Sequence, residues 1–182
     1  TETSKKLLQY LIKHGHWSPF EMVSICLEIE TTRDIARQIL RHRSFSFQEF
    51  SQRYADPTKE LGFVTREARL QDPKNRQNSI EMADDNEVIN EFYAIQAKVL
   101  RASKDAYEWA IKNSIAKEQA RSVLPEGLTE SRMYMNGTLR SWIHYIELRS
   151  GHGTQKEHMD IARACADAMK PIFPMILDFV NI

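Results

Sequence analysis

Arginine, histidine, serine and phenylalanine crowd one short segment, Arg41-His42-Arg43-Ser44-Phe45-Ser46-Phe47-Gln48-Glu49-Phe50-Ser51-Gln52-Arg53-Tyr54. Two chemistries fit it. Arg37, Arg41 and Arg43 can close a helix, where cations offset the free carbonyls of the last turn and the helix dipole. Alternatively, Phe45, Phe47 and Phe50 form a buried edge while Glu49, Ser51 and Arg53 form a polar one, with charge-assisted donors suited to a phosphate. Gln38 stands three residues before Arg41 and shares its helix face. A second set lies near the C-terminus. Arg140 and His144, four apart, make one polar stripe opposite Ile143 and Ile146. Arg149 follows Arg140 by nine residues, half a turn out of phase at about 3.6 residues per turn. Helix geometry alone therefore does not bring these two arginines to one ligand group. Taken singly, Arg149 reads as a helix-end cap, His144 as an interior histidine and Arg121 as a snorkelling surface residue.

Other chemistries fit poorly. Six histidines and two cysteines include no HExxH and no Cys/His quartet, which argues against a structural zinc. Cys26 lies in a strand-like alternation and Cys165 in a helical one, neither with the basic neighbours that make a thiolate nucleophile. Neither a GxGxxG fingerprint nor a P-loop occurs. Lys plus Arg number 25 and Asp plus Glu 25, so no global field draws the chain to nucleic acid or an anionic membrane, and any anion site is a local cluster. No run of about 20 apolar residues appears, the N-terminus TETSKKLLQY is unlike a signal peptide, and two unspaced cysteines suit a reduced, cytoplasmic setting.

The 182 residues suit one domain, 1–182, with a real core. Ser4 opens a helix over 4–14 that Gly15 ends. The turn HWSPFE leads to a strand in which Val23, Ile25, Leu27 and Ile29 alternate with polar neighbours. Thr31 or Thr32 caps a second helix that buries Ile35, Ile39 and Leu40 and runs into Arg41–Arg43. Residues 56–86, polar and broken by Pro57, Gly62 and Pro73, read as a long loop or lid. A helix over roughly 85–112 turns Val88, Ile89, Phe92, Val99 and Ala106 inward. A short helix at about 115–123, a strand at 131–137 and helices over 139–150 and 154–169 complete the chain, the last opened by a capping box, Thr154 to Glu157. The class is α+β and helix-rich.

Arg41-His42-Arg43, seven residues, then Ser51 resembles the RHR-x7-S signature of the flavin-dependent thymidylate synthases, the ThyX class. His16-Trp17-Ser18-Pro19-Phe20-Glu21 is similar to that family's His-x-Ser/Thr-Pro-Phe-Glu turn. Ala120-Arg121 with Leu124-Pro125 is similar to its Ala-Arg-x-x-Leu-Pro segment. Gly137-Thr138-Leu139-Arg140-Ser141-Trp142, then His144 and Leu148-Arg149, resembles its C-terminal helix, and Gln155 and Glu157 match a further patch. HRSFSFQEFSQRYA, KNRQNS and IHYIELR look closest to viral members. The resemblance runs over nearly the whole chain, beginning after an N-terminal segment that the family normally has, and Thr138 stands where many members have Asn.

The resemblance implies a fold with a small antiparallel sheet and a reaction, methylation of dUMP to dTMP with methylenetetrahydrofolate as carbon donor and NADPH as reductant of a bound FAD. That would explain the missing cysteine nucleophile, because the cofactor carries the hard chemistry. By motif position, Gln38, Ile39, Leu40, Arg41, Glu49, Phe50, Ser51, Gln52, Arg53, Arg121 and Arg149 would hold dUMP, with Arg149 catalytic at the pyrimidine and Ser51 and Arg53 at the phosphate. FAD would lie against Ser18, Glu21, Arg41, His42, Arg43, Ser44, Glu49, Thr138, Leu139, Arg140 and His144. Ser51 has no evident base beside it and reads as a phosphate donor, not a nucleophile. The family's assembly implies a homotetramer whose active sites are shared between chains, with Phe45, Phe47 and Phe50 against a partner. Two other readings stay open on the residues: an RNA- or nucleotide-binding module that stacks bases on aromatics, and a catalytically inactive flavoprotein.

Overall fold

The computed structural model describes residues 2–83 and 87–181. In chain order it contains α1 (Glu2–Lys13), a 3-10 turn at Ser18–Glu21, β1 (Ser24–Thr32), α2 (Arg33–Ile39), β2 (Ser46–Glu49) and α3 (Pro57–Glu60). There follow β3 (Arg69–Gln71), β4 (Ser79–Glu81), α4 (Glu87–Lys112), α5 (Lys117–Ala120) running into a 3-10 turn at Arg121–Val123, and β5 (Glu130–Thr138). Last come α6 (Leu139–Arg149), α7 (Lys156–Met169) and a 3-10 stretch at Pro174–Phe179. Gly15, at φ +68°, supplies the left-handed residue that ends α1.

The main sheet is antiparallel with order β1-β5-β2. Its period-two chemistry sets the two faces. Ser131, Met133, Met135 and Gly137 of β5 are buried, whereas Tyr134 and Asn136 between them are exposed. On the outer face Arg132 Nε donates to Glu30 at 2.8 Å, and the two residues are paired across β1 and β5. The inner face carries α2, α6 and α7, which bury Ile35, Ile39, Trp142, Ile143, Ile146, Ala162, Ala166 and Met169 against it. Trp142 Nε1 is satisfied inside this core by the Ile25 carbonyl at 3.0 Å. Gly137 is required by close approach, since a Cβ there would sit 2.4 Å from Phe45 Cδ1.

Several local expectations are corrected. α1 starts at Glu2, so Ser4 lies within its first turn. Thr32 does precede α2, but it makes no side-chain cap, and its hydroxyl donates to Asp34 Oδ1 at 2.5 Å. The capping box at 154–157 does not form. Gln155 occupies the position before α7, and Glu157 turns away to Arg69 and Arg66 at 2.7 and 3.3 Å. Residues 56–83 are not a structureless loop. Asp56 caps α3 through the Thr58 amide, Phe63 bridges to Thr129, and β3 and β4 form a hairpin. Residues 84–86 of that stretch lie outside the described residues.

The apolar stripe of α4 is real but does not face this chain's core. Val88, Phe92 and Val99 are 55, 39 and 42% exposed, and the buried residues of α4 are Gln96, Tyr107 and Ala110. Phe45 belongs to this chain's own core, edge-on to Trp142 at 4.9 Å, and Phe47 packs against the same core. That corrects their assignment to a partner chain. Phe45, Phe47 and Glu49 share one strand parity, so Glu49 follows the phenylalanines inward instead of forming a separate polar edge.

Candidate active site

α2 ends where α6 and α7 meet, and the residues there form two hydrogen-bonded groups, Arg149 with His42 and Tyr145–His158–Gln38–Gln155–Glu157, joined by the ring contact of His42 with Tyr145. The last turn of α2 brings Gln38 to its C-terminal end. The Leu40 amide closes that turn, the His42 amide donates to the Ile39 carbonyl at 3.0 Å, and the chain reverses through Arg41–Ser44. Tyr145 and Arg149, four apart on α6, share a face toward this reversal. Arg149 Nε donates to His42 Nε2 at 2.9 Å. His42 stands edge-on to the Tyr145 ring, with centroids 4.9 Å apart. On α7, His158 is wholly buried, with Nε2 3.1 Å from the Tyr145 hydroxyl and Nδ1 3.3 Å from Gln38 Oε1. Gln38 Nε2 donates to Gln155 Oε1 at 2.8 Å, and Gln155 Nε2 donates to Glu157 Oε2 at 2.9 Å.

This cluster holds one permanent cation among neutral rings. Burial, reinforced by the Arg149 charge, lowers His42 to about 4. Burial, again with Arg149, lowers His158 to about 4. Burial pushes the Tyr145 phenol up, so it keeps its proton. Burial works to raise Glu157, but hydrogen bonds from Gln155, its own backbone and Arg69 hold it below the usual carboxylate range.

A second group sits at the start of α6. Thr138 caps that helix by accepting from the Ser141 amide at 3.2 Å, and Ser141 Oγ donates to the Ser44 carbonyl at 3.4 Å. Arg140 pairs with Glu21 at 2.7 Å, the last residue of the Ser18–Glu21 turn. His144 is exposed and edge-on to Trp17 at 4.7 Å, so it is not an interior histidine. Leu139 is buried in the core, leaving only its main chain available to a ligand. Arg41 and Arg43 are exposed and make no ion pair among the described residues. Arg41 and Arg43 flank the His42 that meets Arg149, and the next residue, Ser44, meets Ser141 in the first turn of α6; two unneutralised arginines on such a segment suit a phosphate-bearing group.

The third group lies at the far end of the sheet. The Phe50 amide donates to the Arg132 carbonyl at 2.8 Å, six residues along β5 from Thr138, or about 20 Å at ~3.3 Å per residue. Glu49 accepts from Ser131 Oγ at 2.8 Å and faces Arg33 at 3.5 Å. The Ser51 carbonyl closes the next turn by accepting from the Tyr54 and Ala55 amides. Arg53 pairs with Glu118 at 3.1 Å, and Arg121 Nε donates to the Glu118 carbonyl at 3.3 Å. Gln52 is buried, and among the described residues its Nε2 has no hydrogen-bond partner.

The expected dUMP residues thus fall into two places within one chain. Gln38, Arg41 and Arg149 gather at the α2–α6–α7 junction, while Glu49–Arg53 and Arg121 gather at the opposite end of β5. The Ile39 side chain is wholly buried, and that of Leu40 is half-buried against the core. Arg140 and Arg149 take different partners, as their phase on α6 requires. Sequence reasoning missed Tyr145 and His158. The available signal was spacing, Tyr145 four before Arg149 and His158 three after Gln155, but nothing local ties these pairs to α2.

A family model described as thymidylate synthase complementing protein matches residues 1–175. The flavin-dependent thymidylate synthase of a Synechocystis species is 52% identical over 171 residues, 94% of this chain and 77% of that protein. The probable flavin-dependent thymidylate synthase of Paramecium bursaria Chlorella virus 1 is 47% identical over 183 residues, 98% of this chain and 82% of that one. In fold, the chain is similar to the crystal structure of the UMP/dUMP methylase PolB from Streptomyces cacaoi bound with 5-Br UMP. The TM-score is 0.84 at 24% identity, over 98% of this chain and 82% of that one. These relatives lend no support to an RNA-binding module or an inactive flavoprotein.

Proposed function

Because the chain belongs to the thymidylate synthase complementing protein family, whose relatives above are flavin-dependent thymidylate synthases, we propose that it methylates dUMP to dTMP. The carbon comes from methylenetetrahydrofolate and the reducing equivalents from NADPH, through a bound FAD. The observation that carries this reading is the junction of α2, α6 and α7, where a neutral His42 holds the Arg149 guanidinium by its Nε. The remaining Arg149 N–H groups stay available for a pyrimidine. A permanently charged, planar group held in that way is suited to stabilising negative charge that develops on a uracil ring.

FAD, when bound, supplies the hydride chemistry for which this chain offers no activated nucleophile. Arg41 and Arg43 without carboxylate partners, together with the start of α6, suit its diphosphate. Arg140, Ser18, Glu21, Ser44, Thr138 and His144 border the same surface, with His42 beneath it.

The two-part distribution of the dUMP residues supports a homotetramer with shared sites, in which Glu49–Arg53 and Arg121 of one chain complete the junction of another. A second observation favours such assembly. Val88, Phe92, Ile95 and Val99 lie exposed along α4 at spacings of four, three and four, the pattern of a helix-packing seam. Phe92, Ile95 and Val99 border a cleft of about 380 Å³ that reaches Gln155, beside Gln38. Among the described residues no helix is long and apolar enough to cross a membrane. Two free cysteines suit the reducing cytoplasm, that of the host cell if the chain is viral.

The test is the purified protein's visible spectrum. A yellow protein that releases FAD on denaturation is the expected result. A colourless protein with no affinity for added FAD overturns the assignment.

A further inference from the structure

A glutamine amide presents a carbonyl on one side and an NH2 on the other, and against a base held in one position only one order matches. Uracil offers N3–H beside a carbonyl, whereas cytosine offers a bare N3 beside an amino group. Resting on the reading of Gln38 as a dUMP contact, we propose that His158, clamped by Tyr145, is a positioning residue. It fixes the order of the Gln38 amide and thereby the base that the site accepts.

The order is set from both ends. Glu157 is an ionised carboxylate, paired with Arg69 at 2.7 Å and Arg66 at 3.3 Å, and can only accept. It therefore takes the NH2 of Gln155 at 2.9 Å. That turns Gln155 Oε1 toward Gln38 and makes Gln38 Nε2 the donor at 2.8 Å. At the other end the Tyr145 phenol keeps its proton and donates to His158 Nε2 at 3.1 Å. The ring proton is then on Nδ1, which donates to Gln38 Oε1 at 3.3 Å. The two ends agree.

They are not equally firm. Gln155 is exposed and its bond competes with water, whereas His158 is wholly buried and Tyr145 nearly so. The buried contact is the longer, 3.3 Å against 2.8 Å, but it is shielded from competing water. One lone pair on Oε1 and one N–H on Nε2 remain, the order that meets uracil's N3–H and carbonyl. Cytosine would set N–H against N–H and lone pair against lone pair.

The experiment measures dUMP and dCMP affinity on the flavin-loaded protein by calorimetry, with melting temperature and flavin content as controls. His158→Leu removes the clamp and should weaken dUMP about tenfold, the size of one lost buried hydrogen bond. Because the amide can then turn over, it should also narrow the dUMP-to-dCMP preference by about tenfold. His158→Asn, which can donate from the Nδ1 position, should recover most of both. Tyr145→Phe removes one hydroxyl and should shift the preference in the same direction by less, and it carries the test if His158→Leu fails to fold.

An unchanged preference in all folded variants overturns the proposal. Gln38→Leu separates the two readings. If it weakens dUMP while the His158 and Tyr145 variants leave the preference intact, only the positioning role falls. If it leaves dUMP within twofold of wild type, Gln38 does not touch the base and both fall.

Discussion

Replacing Arg149 by Ala or Lys should abolish most turnover and leave bound flavin in place. Arg149 uses its Nε on His42 at 2.9 Å, leaving its two terminal NH2 groups for the substrate. Lys has a single nitrogen and cannot hold His42 and reach a pyrimidine in one planar fork. Loss of one preorganised donor to a developing anion costs about 10²–10³ in rate, or roughly 2.7–4 kcal/mol. Arg140, at the heart of the flavin surface, lies about two and a half turns from Arg149 on α6 and on the opposite face, so retention of flavin should change little. The assay is dTMP formation at saturating dUMP, with flavin absorbance read on the same samples. A second readout is local. Burial and the Arg149 charge together hold His42 near 4, so in Arg149→Ala an NMR titration should show it moved upward but still short of 6.5, because burial persists. Near-full activity in Arg149→Lys would refute the charge-stabilising role, and an unmoved His42 would refute the contact.

Three further outcomes are expected. Mixing the inactive variants Arg149→Ala and Arg53→Ala, after dissociation and reassociation, should restore some activity, because mixed assemblies contain sites with Arg149 from one chain and Arg53 from another; assemblies as inactive as either parent would show that each site belongs to one chain. Acid should destabilise the fold between about pH 6.5 and 4. His42 and His158 have folded values of about 4 against an ordinary value of 6.5, so the unfolded chain binds protons first and stability is complete only above that window. The wholly buried His158 accounts for up to about 3 kcal/mol of this and the half-buried His42 for less. Melting temperatures from pH 7.5 to 4.5 should fall more steeply in wild type than in His158→Asn, and equal slopes would contradict it. Finally, Gly137→Ala should cost about 1–3 kcal/mol, because its Cβ would meet Phe45 at 2.4 Å while Trp142 and Tyr145 hold that ring from other sides; an unchanged denaturation midpoint would show that the ring is free to move.

Much of the frame was legible because it rests on local chemistry. The alternation of Ile25, Leu27 and Ile29 gave β1, Gly15 marked the end of α1, and the phase of Arg140 against Arg149 correctly separated their partners. The motifs carried the family. The hairpin at Arg69–Gln71 and Ser79–Glu81 was not legible, since its strands are short and polar. It is held by long-range ion pairs such as Arg69–Glu157 and Lys156–Glu67 instead of by apolar alternation. The stripe on α4 shows the limit of periodicity, which reveals that a helix has an apolar face but not what that face meets. Tyr145 and His158 stayed hidden for a similar reason. Their roles arise only where α6 and α7 reach Gln38 and His42, more than a hundred residues earlier in the chain.

The most direct test of the central claim is a single turnover under anaerobic conditions. The purified protein, with its flavin reduced by NADPH, is given dUMP and methylenetetrahydrofolate labelled in the transferred carbon. Labelled dTMP should form in step with flavin oxidation, and omission of either substrate should prevent it. Flavin that reduces and reoxidises while dUMP is recovered unchanged would contradict the account.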